Sequence, residues 1–239
     1  MLNKILHFAA ESLSSHWHVI FMTCLILLLI TFFLTVRQYS RRASKKDRGY
    51  ENSPRARTKT VSDSLRLLPA ETYRIFQDLY VPRLDGKGVT RIAYVVAARH
   101  GIFVVHPQRE TGVISGTATD RQWSSLNLGI ETTFTNPVIR NAYHARALAR
   151  YLNLPEALIC PVVVFDQEVK FVTNPPTHVL TSGLRRFILS YQAELLSVEM
   201  LDPLLRNLHR AATNEEARAE YDSYRRSKTK RTRKPRQGV

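Results

Sequence analysis

"GIFVVHPQRETG", residues 101–112, decides how the rest of the chain is read. Four consecutive apolar side chains, Ile102 to Val105, run between Gly101 and the polar end His106, Pro107, Gln108, Arg109. A short apolar run bounded in this way is the pattern of a strand buried on both faces. Strands that deliver catalytic groups place them just past the core, where this one turns polar. An imidazole and a carboxamide, however, make a poor reactive pair. The strand has the form of a catalytic strand and the wrong chemistry at its end.

Working outward, "TRIAYVVAA" (90–98) reads as a second buried strand beside it, entered through the hairpin turn Asp85-Gly86-Lys87-Gly88. "GVISGT" (112–117) alternates and reads as a third strand. Pro69 suits a first helical turn, and Ile75, Phe76 and Leu79 supply an apolar face, so a helix is expected near the domain's start at Leu65. A second helix is expected over 134–152, capped by Asn136, with Pro137 at its first position and Val138, Ala142, Ala145, Ala149 and Leu152 on one face. "ALICPVVVF" (157–165) reads as a further strand with "EVKFV" (168–172) paired to it, and helices follow near 183–192 and 197–210. Strands interspersed with helices predict an α/β domain on a mixed central sheet.

The chain has 239 residues, a formal net charge of +15 and two cysteines, Cys24 and Cys160, neither placed for a disulfide framework or a zinc site. Val19 to Val36 is an uncharged apolar run of 18 residues, which as a helix spans roughly 27 Å, close to the hydrocarbon thickness of a bilayer. Trp17 and Tyr39 flank it as interfacial residues do, and no small-x-small cleavage site follows, so a retained transmembrane helix is expected. Nine Lys/Arg lie between Arg37 and Lys59, against Lys4 alone upstream. The positive-inside rule then places the N-terminus outside and the bulk of the chain at the cytoplasmic face of an inner membrane, with the basic segment beside anionic lipid headgroups. The expected organisation is a short outer segment (1–18), the anchor (19–36), a basic linker (37–64), a folded domain (65–212), and a basic C-terminal helix with a disordered tail (213–239). Asn214 or Thr213 caps that last helix, and nine Lys/Arg follow between Arg218 and Arg236. Such a segment binds phosphate polyanions without sequence preference, or serves only to solubilise.

The order of "GIFVV", "TGVISG", "QW", "FTNP" and "PVVVFD" between about Leu65 and Leu180 resembles the nuclease-related domain, or NERD, family. The resemblance implies a restriction-endonuclease-like fold: a mixed central sheet flanked by helices. It also implies metal-dependent phosphodiester cleavage, with an Asp on the second strand and a Glu-x-Lys on the third. Mg²⁺ wants anionic oxygen ligands, and the Lys steadies the attacking water. Carried onto this sequence, the family's Asp falls on Ala93, its Glu on His106, its Lys on Gln108, and a Gln of the following helix on Arg140. The helix acid survives as Glu71, which a favourable position at a helix N-terminus also explains.

Those replacements remove the anions a hard cation needs, so no cofactor is expected, and Mg²⁺ is required only if cleavage persists through relocated groups such as His106 with Glu110. Asp120 and Glu131 are further candidates, with loop or cap roles as their ordinary reading. Arg91, Arg99, Arg109 and Arg140 are expected to frame the former site and to hold a nucleic-acid backbone by charge. The sequence therefore predicts a membrane-anchored, catalytically degenerate domain that binds DNA, RNA or another membrane protein. An active nuclease and a scaffold without nucleic acid are the competing readings.

Overall fold

The computed structural model describes residues 61–233, with side chains through residue 228. The apolar run 19–36, the basic linker as far as residue 60, and the last six residues lie outside the described residues. Among the described residues no helix is long and apolar enough to cross a membrane.

Residues 61–66 form helix α1. Strand β1 (Arg74–Pro82), β2 (Val89–Ala98) and β3 (Gly101–Pro107) then make an antiparallel meander. Strand β7 (Ile159–Val164) and the short β9 (Val179–Leu180) add to β3 in parallel, giving the order β1-β2-β3-β7-β9. A second sheet, in the order β6-β5-β4-β8, is built from β4 (Val113–Ser115), β5 (Gln122–Asn127), β6 (Ile130–Thr135) and β8 (Lys170–Phe171). Helix α2 (Pro137–Leu152) carries the chain from the second sheet back to β7. Helices α3 (Leu184–Leu189), α4 (Val198–Thr213) and α5 (Glu215–Arg233) complete the described chain.

The first sheet is buried on both faces, which explains why β2 and β3 read as continuous apolar runs. One face packs Leu79, Val95, Ile102 and Val104 against Leu148 and Leu152 of α2 and Leu204 and Leu208 of α4. The other packs Tyr94, Val96, Phe103 and Val105 against Leu65 of α1 and Ile188 of α3. Each such side chain contributes about 1.5–3 kcal/mol relative to exposure. The protein is thus a mixed α/β fold, its central sheet held between helices.

The sequence reading needs correction at several elements. The apolar residues after Pro69 are not a helix: a turn over residues 67–72 leads into β1, where Leu79, Tyr80 and Val81 are buried in succession. Spacing of three and four suits a helical face, but here an irregular strand produces it. Asp78 adopts φ 57°, and the ladder skips it between Gln77↔Tyr94 and Leu79↔Ile92. The skip shifts the alternation by one residue, so that Phe76 and Leu79 both reach the same core. "GVISGT" is a strand, β4, but in the second sheet, and "EVKFV" pairs with β4 through Val113↔Lys170 rather than with β7. The expected helix over 134–152 begins at Pro137, because Phe134 and Thr135 end β6. The C-terminal helix continues to Arg233, well into the stretch expected to be a tail.

Candidate functional site

Asn141 sets the geometry of the site. Its buried amide donates to Val104 O at 2.9 Å and to Val162 O at 3.0 Å, pinning α2 across the seam between β3 and β7. Arg140 precedes it, and His144 lies one turn further along the same helix, so both are carried to the polar end of β3. There the Arg140 guanidinium lies 2.6 Å from His106 Nε2 and 2.7 Å from Gln108 Oε1, through the same nitrogen, Nη2. Guanidinium has no acceptor, so it donates to both, and His106 is the neutral tautomer with its proton on Nδ1. The Gln108 amide in turn donates through Nε2 to Glu110, which also accepts from Arg109 N at 3.2 Å. A single buried neutral amide therefore links a half-buried cation to a half-buried carboxylate.

The electrostatics agree with that tautomer. Burial, then the Arg140 charge, then His144, hold His106 well below the usual imidazole range. Burial and Arg140 push His144 down to about 4, and its ring stands 5.9 Å from that of His106. Desolvation lowers Arg140 too, with Glu110 opposing the shift. It remains a cation, as arginine does in proteins generally.

Stability should follow pH accordingly. An unfolded chain protonates His144 as pH falls through about 6.5. The folded protein refuses that proton until about 4, so stability is complete above the first value and is lost on the way to the second. The loss from this residue is roughly 1.4 kcal/mol per pH unit, about 3 kcal/mol in all. His106, and His178 through its own burial, act in the same direction. Urea midpoints measured between pH 5 and 7 should fall with acid, and His144→Leu should flatten the slope by about one proton.

The structure brings together His106, Gln108 and Arg140, but not every residue expected with them. Ala93 lies one step past the Tyr94↔Val105 pair, hence beside His106 in the sheet, and packs against the second core. Arg91 is on the same strand, bonded through Nε to Asp78 at 2.8 Å. Arg109 is exposed, next to Glu110. Arg99 does not belong to this group: it lies in the β2–β3 turn at the opposite end of the sheet and pairs with Glu194 at 2.5 Å. Glu71 is an exposed residue of the turn before β1, not of a helical first turn, and leads to the edge where Arg74 faces Ala97. Asp120 has a local role, accepting from Thr117 N at 2.7 Å, and Glu131 is exposed on β6.

Sequence reasoning passed over His144 and Tyr221. The signal for His144 was its position four residues after Arg140. Tyr221, on α5, sits in the field of both Arg91 and Arg140, and its ring lies 5.7 Å from that of Tyr80 of β1, tilted at 58°. Tyr224 of the same helix lies under Arg83, 6.0 Å from ring centroid to guanidinium carbon. The basic C-terminal helix is therefore seated at the same end of the sheet as His106.

The model of the nuclease-related domain family matches residues 53–166. Residues 53–166 are a nuclease-related domain. The NERD match covers β1 through β7 and α2, and stops at Asp166, so α3, α4 and α5 lie beyond it. Comparisons with curated proteins and with solved structures returned no match. Among the described residues, no three His, Cys, Asp or Glu side chains are grouped as metal ligands. His106, Gln108 and Glu110 do not fit a hard dication: the first two are neutral donors already engaged by Arg140, and the carboxylate is held by Gln108.

Proposed function

We propose that this NERD protein is a catalytically silent relative of the restriction-endonuclease-like nucleases, held to the cytoplasmic face of a membrane by residues 19–36, that binds nucleic acid by charge. One observation carries the silence: Arg140 Nη2 bridges His106 and Gln108 at 2.6 and 2.7 Å, the two positions where the family resemblance puts a Glu and a Lys. A fixed guanidinium there repels a divalent ion, and no carboxylate at positions 93, 106 or 108 offsets it. The meander β1-β2-β3, the crossover through α2 and the parallel β7 support the fold comparison.

The binding surface moves from the expected groove to the C-terminal helix. Arg91, Arg99 and Arg140 are engaged with Asp78, with Glu194, and with His106 and Gln108, leaving Arg109 the most open of the four. From Ser223 to Val239 the chain carries eight Lys/Arg and no acid. Such a segment contacts phosphates with a strong salt dependence, each contact adding about 0.9 to the slope on duplex DNA.

The test pairs cleavage with binding on the full chain. Plasmid and single strands with Mg²⁺, Mn²⁺ or Zn²⁺ should remain uncut. Duplex and single-stranded DNA and RNA should bind at low salt. Replacing Arg225, Arg226, Lys228, Lys230, Arg231 and Arg233 by Gln should weaken binding by tenfold or more, and should lower the salt slope by several units. Metal-dependent cutting abolished by His106→Ala or Glu110→Ala would instead establish an active nuclease. Absence of any nucleic-acid binding would favour a scaffold for another membrane protein.

A further inference from the structure

The second sheet buries one face and leaves the other bare. Inward, Ile114 and Trp123 pack with Phe165 and Val169. Outward, the ladder pairs Lys170↔Val113, Val113↔Leu126 and Leu126↔Glu131, which places four side chains in one row on the same face. Val113 is 38% exposed and Leu126 48%, while Lys170 and Glu131 are exposed at the two ends of the row. Lys170 and Glu131 stand three strand spacings apart, roughly 14 Å, too far to pair with each other. Neither forms a salt bridge with another side chain among the described residues. Beyond that row Ser115 faces Ser124, and exposed Val172 follows Phe171 at the end of β8, so no charged side chain there keeps another flat surface away.

We propose that this face is a weak self-association surface, and that its occupant is a second copy of the same sheet packed face to face. The charge order along the row selects that partner. A twofold axis running along the strands, between β4 and β5, reverses the row from left to right. It lays Lys170 over Glu131 of the second copy, and Val113 over its Leu126, twice by symmetry. A twofold axis across the strands would set like charges together. Aligned packing of two sheets at about 10 Å suits side chains of this length. The face measures roughly 19 by 17 Å, on the order of 300 Å². A standard interface buries about 800 Å² on each partner, so this contact is transient rather than obligate. Exposed charge pairs add little affinity, but mismatched ones oppose association, so the row acts mainly on specificity.

Sedimentation of the full chain in density-matched detergent tests this pairing. At about 100 µM the wild-type chain should show a reversible monomer–dimer equilibrium, as a contact of this size permits. K170E alone, or E131K alone, should weaken dimerisation about tenfold or more by opposing like charges. The double variant K170E/E131K should return it to within about threefold of wild type. Both positions are exposed, so thermal unfolding should not change. A monomer at that concentration, or a dimer indifferent to the single charge reversals, would overturn the proposal. The second outcome would point to another surface, such as the open edge of β6.

Discussion

Gly116→Ala should leave the second sheet unable to close on the first, with a loss of about 3 kcal/mol or more in unfolding free energy. Gly116 follows β4 at φ 153°, and a Cβ built there falls on the indole atoms Cδ1 and Cγ of Trp123, and 2.7 Å from Nε1. Neither side can yield. Trp123 is 1% exposed, stacks on Phe165 at 6.2 Å, meets Phe134 and Phe171 edge-on, and donates its N–H to Thr117 O at 2.7 Å. Moving the ring would break that bond and open the aromatic cluster. Trp123→Ala removes the clash partner but leaves a cavity costing about 3–5 kcal/mol by itself. Urea denaturation of the three proteins separates the cases: the double variant Gly116→Ala with Trp123→Ala should lose less than the two single losses added together, because the clash has gone and only the strain of a Cβ at φ 153° remains.

Asn136→Asp should cost about 3–5 kcal/mol at neutral pH although it changes a single non-hydrogen atom. The Asn136 side chain is fully buried between the second sheet and α2. Its Oδ1 accepts from Val138 N at 2.9 Å and Ile139 N at 3.4 Å, capping α2. Its Nδ2 faces three carbonyl oxygens, those of Thr117 and Ala118 at 3.1 Å and of Asp120 at 2.6 Å. A carboxylate keeps the cap but turns a second oxygen toward those carbonyls with no proton to share. Its folded-state pKa must then rise above the unfolded value of about 3.9, so the penalty grows as pH climbs past that point. Comparing wild type and variant at pH 4.5 and 7.5 should show the larger deficit at the higher pH. No deficit at either pH would mean that the side chain acts only as a helix cap, which Asp supplies equally well.

Both predictions concern residues of the family-like stretches "TGVISG", "QW" and "FTNP", whose meaning the sequence showed only as order and spacing. β2, β3, α2 and α4 were legible because their signals are local: apolar runs between breakers, and caps followed by periodic faces. The hairpin β5–β6 was not, for two reasons. Its strands are rich in Ser and Thr, which suits a sheet with one bare face. Its turn is Leu128-Gly129, both at positive φ, 53° and 77°. A two-residue hairpin of that type is ordinarily signalled by Asn-Gly or Asp-Gly, and leucine at positive φ hides it. β1 was misread because the skip at Asp78 gives a strand the spacing of a helix.

By itself the sequence determined the α/β class, the two central strands, the capped helix and the lack of a carboxylate at positions 93 and 106. These depend on near neighbours in the chain and on which atoms each side chain carries. The tertiary structure decided that Arg140, 34 residues after His106, donates to it, that Arg99 belongs to the other end of the sheet, and that α5 packs beside Tyr80. Such juxtapositions depend on how the helices settle on the sheets. Distance along the chain carries no record of that packing.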